Sequence, residues 1–213
     1  MKIIDCVQGS DAWLTARLGI PTASEFHRIV TPARGDLSKQ ARGYAYQLVA
    51  EALLREPCST NIENMEWVAR GRKLEPLAAQ QYEFATDTET KPVGFITTDC
   101  GRLGCSPDRL IVGQRGVLEI KCVNPARHVG YWLDGVEDSY KPQVMGQVSI
   151  AEVEFCDLYA YHPALPPATI RTHRDEPYID RLRAALREFL DLRDDMLKRA
   201  QASGFFDTMA EAA

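Results

Sequence analysis

Two acidic side chains and a lysine stand at a spacing that suits chemistry on phosphate. Asp108 follows Pro107, and ten residues separate it from Glu119-Ile120-Lys121. Side chains alternate along a strand, so Glu119 and Lys121 would share one face while Ile120 takes the other. Buried charges are costly unless they are paired or bind a metal, and Asp108 on an adjacent strand end would complete an oxygen-ligand site for Mg²⁺. The residues alone leave a second interpretation open, a Glu–Lys pair on a solvent-facing strand.

This set of groups would suit the hydrolysis of a phosphodiester. A bound Mg²⁺ would polarise a phosphoryl oxygen and activate a water molecule. The ammonium group of Lys121 would orient that water or stabilise the negative charge that develops on the phosphate. The motif therefore predicts a metal-dependent hydrolase, provided that the surrounding elements bring Asp108 and Glu119 together.

The elements before the motif are predicted to be helical. Ser10-Asp11 precedes a short helix, and Thr22-Ala-Ser-Glu25 has the capping-box pattern that begins a second one. Apolar residues at helical period predict two longer helices, the first with Ala41, Tyr44, Ala45, Leu48, Val49 and Leu53 and the second with Val68, Leu74, Leu77, Ala78 and Phe84.

Strands are predicted on both sides of the motif. They are expected at residues 93–97, 110–112, 117–123, 155–161 and 168–173, with a turn at 113–116. Helical segments are expected at about 140–153 and, as an amphipathic helix, from Ile179 to beyond Leu190. The order of elements predicts an α/β fold with a central mixed β-sheet flanked by α-helices.

Composition predicts one globular domain. No repeat or low-complexity linker interrupts the 213 residues, so we expect a single domain over residues 1–205 and a flexible C-terminal tail at 206–213. No secretory signal or apolar span is recognisable, which predicts a soluble, cytoplasmic protein without a membrane partner. The six cysteines form no C-x-x-C pair, which argues against a zinc ribbon or clustered iron–sulfur ligands.

At this point the sequence resembles a known family of nucleases. Pro107-Asp108 and Glu119-x-Lys121 match the motif of the PD-(D/E)XK nucleases, and the longer match is to the family of bacteriophage lambda exonuclease and the YqaJ-type viral recombinases. Five blocks carry the resemblance in family order, at residues 11–27, 70–78, 104–108, 118–122 and 140–144. The resemblance implies a restriction-endonuclease-like core over nearly the whole chain.

The resemblance also implies roles for individual residues. The metal ligands and the catalytic lysine of the family are matched by Asp108, Glu119, the backbone carbonyl of Ile120, and Lys121. Glu75 matches an acid on an upstream helix that helps to hold the metal site and its waters. Gln143 matches a glutamine near the attacking water, although a surface amide on a helix is the alternative without the family. The implied cofactor is Mg²⁺, with two ions per site and Mn²⁺ as a substitute.

A second group of residues would bind the end of the DNA. Arg17 and Ser24 match family residues that bind the 5′-phosphate of the digested strand, and Thr22 stands beside them. Free N–H groups at a helix start attract anions, and Arg17 would add a bidentate contact, while a simple cap remains the alternative for Ser24. Val68 matches an apolar wedge that separates the terminal base pair, and Arg34 an arginine that reaches the minor groove. A core valine and a solvated loop arginine are their alternatives.

Two positions depart from the family pattern. The usual Q-x-Q reads Gln143-Val-Met145 here, so the second amide is lost, although Gln147 follows half a turn later. Arg109 replaces a small residue, and either a DNA contact or neutralisation of the carboxylates would explain it. The sequence leaves the roles of Met145, Gln147 and Arg109 open.

The resemblance implies a phage- or prophage-encoded, processive 5′→3′ exonuclease that acts on double-stranded DNA with a 5′-phosphate end in the bacterial cytoplasm. It would leave 3′ single-stranded DNA for recombination with a single-strand annealing protein. The implied assembly is a homotrimeric ring, which would reconcile DNA binding with the net charge of -5 because a basic channel can lie inside an acidic exterior. A structure-selective DNA endonuclease and a catalytically silent DNA-binding module are the alternatives.

Overall fold

Helices dominate the first part of the chain and strands follow, in the predicted order. This computed structural model describes residues 1–58 and 66–203, with the backbone alone at 66–69. The described elements are β1 (Lys2–Ile4), α1 (Asp11–Arg17), α2 (Phe26–Ile29), α3 (Ala41–Leu54), α4 (Glu66–Thr86), β2 (Thr90–Pro92), β3 (Phe95–Thr97), β4 (Gly104–Cys105), β5 (Arg109–Ile111), β6 (Gly116–Lys121), α5 (Pro125–Leu133), α6 (Lys141–Ile150), β7 (Phe155–His162), β8 (Leu165–His173) and α7 (Glu176–Ala202). The predicted tail at 206–213 lies outside the described residues.

The larger sheet has five strands in the order β2-β5-β6-β7-β8 and carries the acidic motif. Strands β6 and β7 are parallel, and the other neighbours are antiparallel. Because parallel neighbours need a long crossover, α5 and α6 lie between β6 and β7 in the chain. The prediction of a central mixed sheet flanked by helices is confirmed.

Opposite faces of β6 contact different helices. Leu118 and Ile120 pack against a cluster that includes Ala78 and Tyr82 of α4. Val117 belongs to the main core, which α3, α6 and α7 complete. In that core the ring of Tyr44 stacks on Phe189 with centroids 5.8 Å apart. The predicted alternation along β6 is therefore present.

Among the described helices, none combines the length and apolarity that crossing a membrane requires.

A second, smaller sheet in the order β1-β3-β4 was not predicted. Its strands are two or three residues long, too short to show periodicity. Gly104 of β4 lies so close to Phe95 that a Cβ there would be 2.1 Å from the ring. The Gly104 N–H donates to Pro21 at 3.1 Å, and Thr22 bridges to Gly104. The small sheet thus joins the segment around Thr22 to the strand that leads to Asp108.

The capping-box prediction at residues 22–25 is wrong. The Thr22 side chain makes no cap hydrogen bond. Its Oγ1 lies 3.2 Å from the Ser24 hydroxyl, and the Glu25 carboxylate pairs with Arg28 at 3.1 Å. Because both capping groups have other partners, the segment forms one 3-10 turn and the four-residue α2. A helix this short provides little of the dipole on which the predicted anion site depended.

A buried carboxylate joins β7, β8 and α4. Asp157 accepts from Arg171 Nε at 2.8 Å, from Arg171 Nη2 at 2.7 Å and from the Tyr82 hydroxyl at 2.6 Å. Substituting Arg171→Met would leave this carboxylate with the tyrosine as its main donor. We expect the free energy of unfolding in urea to fall by about 3 kcal/mol. The control is Arg115→Met, because Arg115 forms an exposed pair with Glu154 and should contribute less than about 1 kcal/mol. Equal losses in the two variants would contradict this prediction.

Candidate active site

The acidic motif converges where β5 begins beside the end of β6. Asp108 directly precedes β5, and Ile120 lies beyond the last β5–β6 residue pair, Arg109 with Leu118. The Ile120 N–H donates to Asp108 Oδ2 at 2.5 Å, so the carboxylate extends the hydrogen-bonded ladder just before β5 begins. Glu119, only 5% exposed, accepts from Lys121 Nζ at 2.7 Å through Oε1. The structure brings these predicted residues together.

Two amides on α6 bind the Glu119 carboxylate. Gln143 Nε2 donates to Oε1 at 2.8 Å, and Gln147 Nε2 donates to Oε2 at 2.6 Å. Residues four apart share a helix face, whereas Met145 points into the core at 1% exposure. Gln147 is therefore a site residue whose role the sequence analysis left open. The four-residue spacing from Gln143 is the signal that identifies it.

Glu75 on α4 lies where two clefts meet. A cleft of about 570 Å³ is lined by Glu75, Lys121 and Tyr140, and a neighbouring cleft of about 730 Å³ is lined by Glu75, Asp108 and Trp13. The partly buried Glu75 thus faces both sides of the carboxylate cluster. Tyr140, whose ring centroid is 5.2 Å from Lys121 Nζ, adds an aromatic wall that sequence reasoning did not assign.

Burial and neighbouring charges shift the pKa values of the site residues. Burial, followed by the charge of Glu119, raises the pKa of Asp108 well above its usual value. Burial also raises the pKa of Glu75, with Arg109 opposing and Glu119 adding to the shift. Burial alone would lower the pKa of Lys121, but the charges of Glu119 and Asp108 more than offset it, so its pKa is raised. The lysine is therefore an ammonium group beside an excess of carboxyl groups.

The donor set fits a hard divalent cation. Asp108 and Glu119 offer carboxylate oxygens, and Mg²⁺ typically binds one or two carboxylates while it keeps several waters. Within the described residues, no three His, Cys, Asp or Glu side chains gather as a complete metal cage. A site here would need further oxygens, from water or from the predicted carbonyl of Ile120. Burial is the main cause of the raised pKa of Asp108 and Glu75, and the negative charge of Glu119 adds to both shifts, so a cation placed among these groups would offset that charge.

Residues predicted to bind the DNA end lie next to this cluster. The Arg17 guanidinium is 3.8 Å from the centroid of the Trp13 ring and donates to Thr22 Oγ1 at 3.2 Å. Trp13 Nε1 donates to Ser106 Oγ at 2.9 Å, two residues before Asp108. Ser24 is exposed beside Thr22. The structure thus brings Arg17, Thr22 and Ser24 together and links them to the acidic motif through Trp13.

Arg17 has the properties of an anion-binding group. It is partly buried, and burial lowers its pKa from the usual arginine value, although an arginine stays charged in proteins. No acidic side chain lies within ion-pair distance of it among the described residues, in contrast to Arg28, which pairs with Glu25. A desolvated cation without a carboxylate partner favours a phosphate ligand.

Other predicted contacts are not brought to this cluster. Arg34 is 77% exposed on a loop and pairs with Asp36 at 3.2 Å, and its carbonyl accepts from Arg181 on α7. Val68 belongs to α4, but its side chain lies outside the described residues. The side chain of Arg109 binds Thr90 and lies 3.7 Å from Glu83, so it secures β2 instead of entering the carboxylate cluster.

The mixed sheet, its flanking helices and the Asp–Glu–Lys cluster beside a cleft define a protein of the restriction-endonuclease-like class. The family model of the YqaJ-like viral recombinase domain matches residues 12–154. The chain therefore belongs to the family of YqaJ-like viral recombinase domains. A search of curated protein sequences found no significant match.

Solved structures agree with this assignment. The alkaline exonuclease LHK-Exo from Laribacter hongkongensis is 25% identical, with a TM-score of 0.80 over 96% of this chain and 100% of that chain. A second LHK-Exo structure, in complex with dAMP, matches equally well. A phage related exonuclease from Haemophilus somnus 129PT shares the fold at 13% identity, with a TM-score of 0.67 over 85% of this chain and 96% of that chain. Family and relatives support a DNA exonuclease with a role in recombination.

Proposed function

We propose that this chain is a Mg²⁺-dependent, processive 5′→3′ exonuclease that degrades the 5′-ended strand of double-stranded DNA and leaves 3′ single-stranded DNA for single-strand annealing. The observation that carries the proposal is the cluster of Asp108, Glu119 and Lys121 beside two clefts that meet at Glu75. The relation to LHK-Exo supports a DNA substrate, and its complex with dAMP supports a nucleotide product.

The proposed metal ligands are Asp108, Glu119 and the backbone carbonyl of Ile120. When bound, Mg²⁺ would polarise the phosphoryl oxygen at the scissile bond and lower the pKa of a water molecule. The proposed site would hold two such ions, as is common in phosphodiester hydrolysis, and Mn²⁺ would substitute for Mg²⁺. Burial, and then the charge of Glu119, raises the pKa of Asp108, and the nearby negative charge supports this assignment because it would be offset by a cation at the same place.

Three side chains would act on the phosphate and the attacking water. The ammonium of Lys121, kept charged by its raised pKa, would stabilise negative charge that develops on the phosphate. Gln143 uses its amide nitrogen on Glu119, which leaves its amide oxygen to orient a water. Glu75, with its raised pKa, would accept or return a proton among the waters where the clefts meet.

We assign the 5′-phosphate of the digested strand to Arg17, Thr22 and Ser24. The support is the Arg17 guanidinium, which has no carboxylate partner within the described part of the chain, and its connection through Trp13 to the loop before Asp108. A phosphate bound there would hold the terminal nucleotide in register with the carboxylates. The apolar wedge at Val68 and the minor-groove contact at Arg34 remain parts of this proposal that rest on the family resemblance.

We further propose a homotrimeric ring around DNA, with a single-strand annealing protein as partner in the cytoplasm of a bacterial host. The family resemblance supports the ring, and a net charge of -5 is compatible with DNA binding if basic surfaces line an inner channel. Light scattering should give three times the mass of the chain, and a monomer mass would contradict this assembly.

A linear duplex labelled separately at each end tests substrate, polarity and end recognition together. With Mg²⁺ and a 5′-phosphate, we expect loss of the 5′ label first and accumulation of 3′ single strands. A 5′-hydroxyl end should react more slowly, and chelation of the metal should stop the reaction. Covalently closed circular duplex should stay intact, because it has no end. Cutting of the circle would favour the endonuclease instead, and no cutting of any DNA would favour a silent binding module.

A further inference from the structure

The second oxygen of Glu119 has a buried partner of its own. Oε1 accepts from Lys121 at 2.7 Å and from Gln143 at 2.8 Å, whereas Oε2 accepts from Gln147 at 2.6 Å. Gln147 is 1% exposed and Glu119 is 5% exposed. Water therefore has little access to replace the Gln147 amide if that amide is removed.

Cys156 on β7 fixes the orientation of this amide. Its thiol donates to Gln147 Oε1 at 3.7 Å. Burial, and then the charge of Glu119, raises the pKa of Cys156 well above its usual value, so the sulfur keeps its proton and can donate. A carboxylate can only accept, so the amide nitrogen of Gln147 must face Glu119 while its oxygen faces the thiol. One amide orientation satisfies both neighbours.

We infer that Gln147 is a positioning residue of the nuclease site, which holds the Glu119 carboxylate in the orientation needed to bind the divalent cation. The inference rests on the proposed function, since it assigns Gln147 to that same site. Helix geometry explains why this position acts and Met145 does not. Residue 145 is two positions from Gln143 and is buried in the core, whereas residue 147 is one turn away on the face toward β6.

Holding both oxygens matters because a free glutamate can rotate about three side-chain bonds. Groups that bind a metal ligand from behind orient it before the metal arrives, and their loss typically costs about 10- to 100-fold in metal affinity or activity. Without Gln147, Oε2 would lose a donor that its buried surroundings do not replace, and the carboxylate would turn toward Lys121. The effect should therefore appear in metal binding as well as in turnover.

The test compares Gln147→Met, which keeps the side-chain length but has no N–H donor, with Met145→Leu in the same helix. Calorimetric titration with Mn²⁺ in the absence of DNA should show about tenfold weaker binding for Gln147→Met than for Met145→Leu. With DNA, its kcat should fall about tenfold at limiting Mg²⁺ and partly recover at high Mg²⁺, while KM for DNA stays unchanged. A merely structural role would not make kcat depend on the metal concentration in this way.

A second pair of variants decides the question if Gln147→Met does not fold. Cys156→Ala removes the donor that orients the amide. It should also weaken Mn²⁺ binding, but the loss of affinity should be smaller than in Gln147→Met. Cys156→Ser keeps a donor and should restore affinity. The inference would be overturned if folded Gln147→Met and Met145→Leu bound Mn²⁺ with equal affinity. It would also be overturned if folded Cys156→Ala and Cys156→Ser did so. Failure of the wild-type protein to digest DNA would instead reject the proposed function, and the Mn²⁺ affinities would still decide the role of Gln147.

Discussion

Replacing Lys121 with alanine is expected to lower kcat on a 5′-phosphorylated duplex by about 100- to 1,000-fold. The ammonium group lies 2.7 Å from Glu119, and its raised pKa keeps it charged. Removing it would take away a positive charge at the place where the transition state becomes more negative. DNA binding should change little, because the Lys121 side chain is only 20% exposed. The measurement is nucleotide release at saturating DNA and Mg²⁺.

The matched control is Lys198→Ala, which removes an exposed lysine from α7. This variant should turn over at the wild-type rate, so any general effect of lost positive charge is subtracted. Thermal unfolding of both variants checks the fold, and Glu119 keeps Gln143 and Gln147 as donors when Lys121 is removed. A Lys121→Ala enzyme with more than a third of the wild-type kcat would show that the lysine is not catalytic.

The placement of Asp108, Glu119 and Lys121 was predictable because it depends on local geometry. Alternation along one strand puts Glu119 and Lys121 on the same face whatever the rest of the fold does. Asp108 precedes the neighbouring strand of a hairpin whose turn is visible in the sequence, so its approach to Ile120 also follows from short-range structure. These contacts need no knowledge of distant packing.

Other parts of the molecule depend on contacts that a pattern does not encode. The strands β1, β2 and β4 have two or three residues each and are defined by their partners instead of by periodicity. Helix α5 was missed although Asn124 caps it and Pro125 begins it, which is a recognisable start signal. At 22–25 the capping pattern failed because Arg28 pairs with Glu25. Such competition between partners appears only in three dimensions.

The same distinction applies to the amides of α6. The family pattern directs attention to residue 145, but a buried position two residues from Gln143 cannot reach Glu119 from that helix face. The 2.6 Å contact from Gln147 shows that helical spacing was the better guide. The link from Trp13 to Ser106 was not predictable, because 93 residues separate the two side chains in the chain.

Replacing Arg17 with alanine is expected to remove the preference for a 5′-phosphate. A hydrogen bond to a charged group contributes about 1.5–3 kcal/mol, so kcat/KM on the 5′-phosphorylated duplex should fall by about 10- to 150-fold. On the 5′-hydroxyl duplex it should change little, because that end offers no dianion to the guanidinium. The physical basis is a partly buried cation with Trp13 and Thr22 as neighbours. The measurement is the ratio of the two kcat/KM values.

Arg28→Ala is the matched control, because Arg28 lies in the adjacent α2 but already pairs with Glu25 at 3.1 Å and donates to Gln47 at 3.0 Å. Its removal should lower both kcat/KM values equally or not at all. Arg17→Lys keeps the charge but loses the planar pair of donors, so it should give an intermediate preference. If Arg17→Ala still distinguishes the two ends as the wild type does, the phosphate is bound elsewhere. Recognition of the end would then have to come from residues other than those that Trp13 joins to the motif.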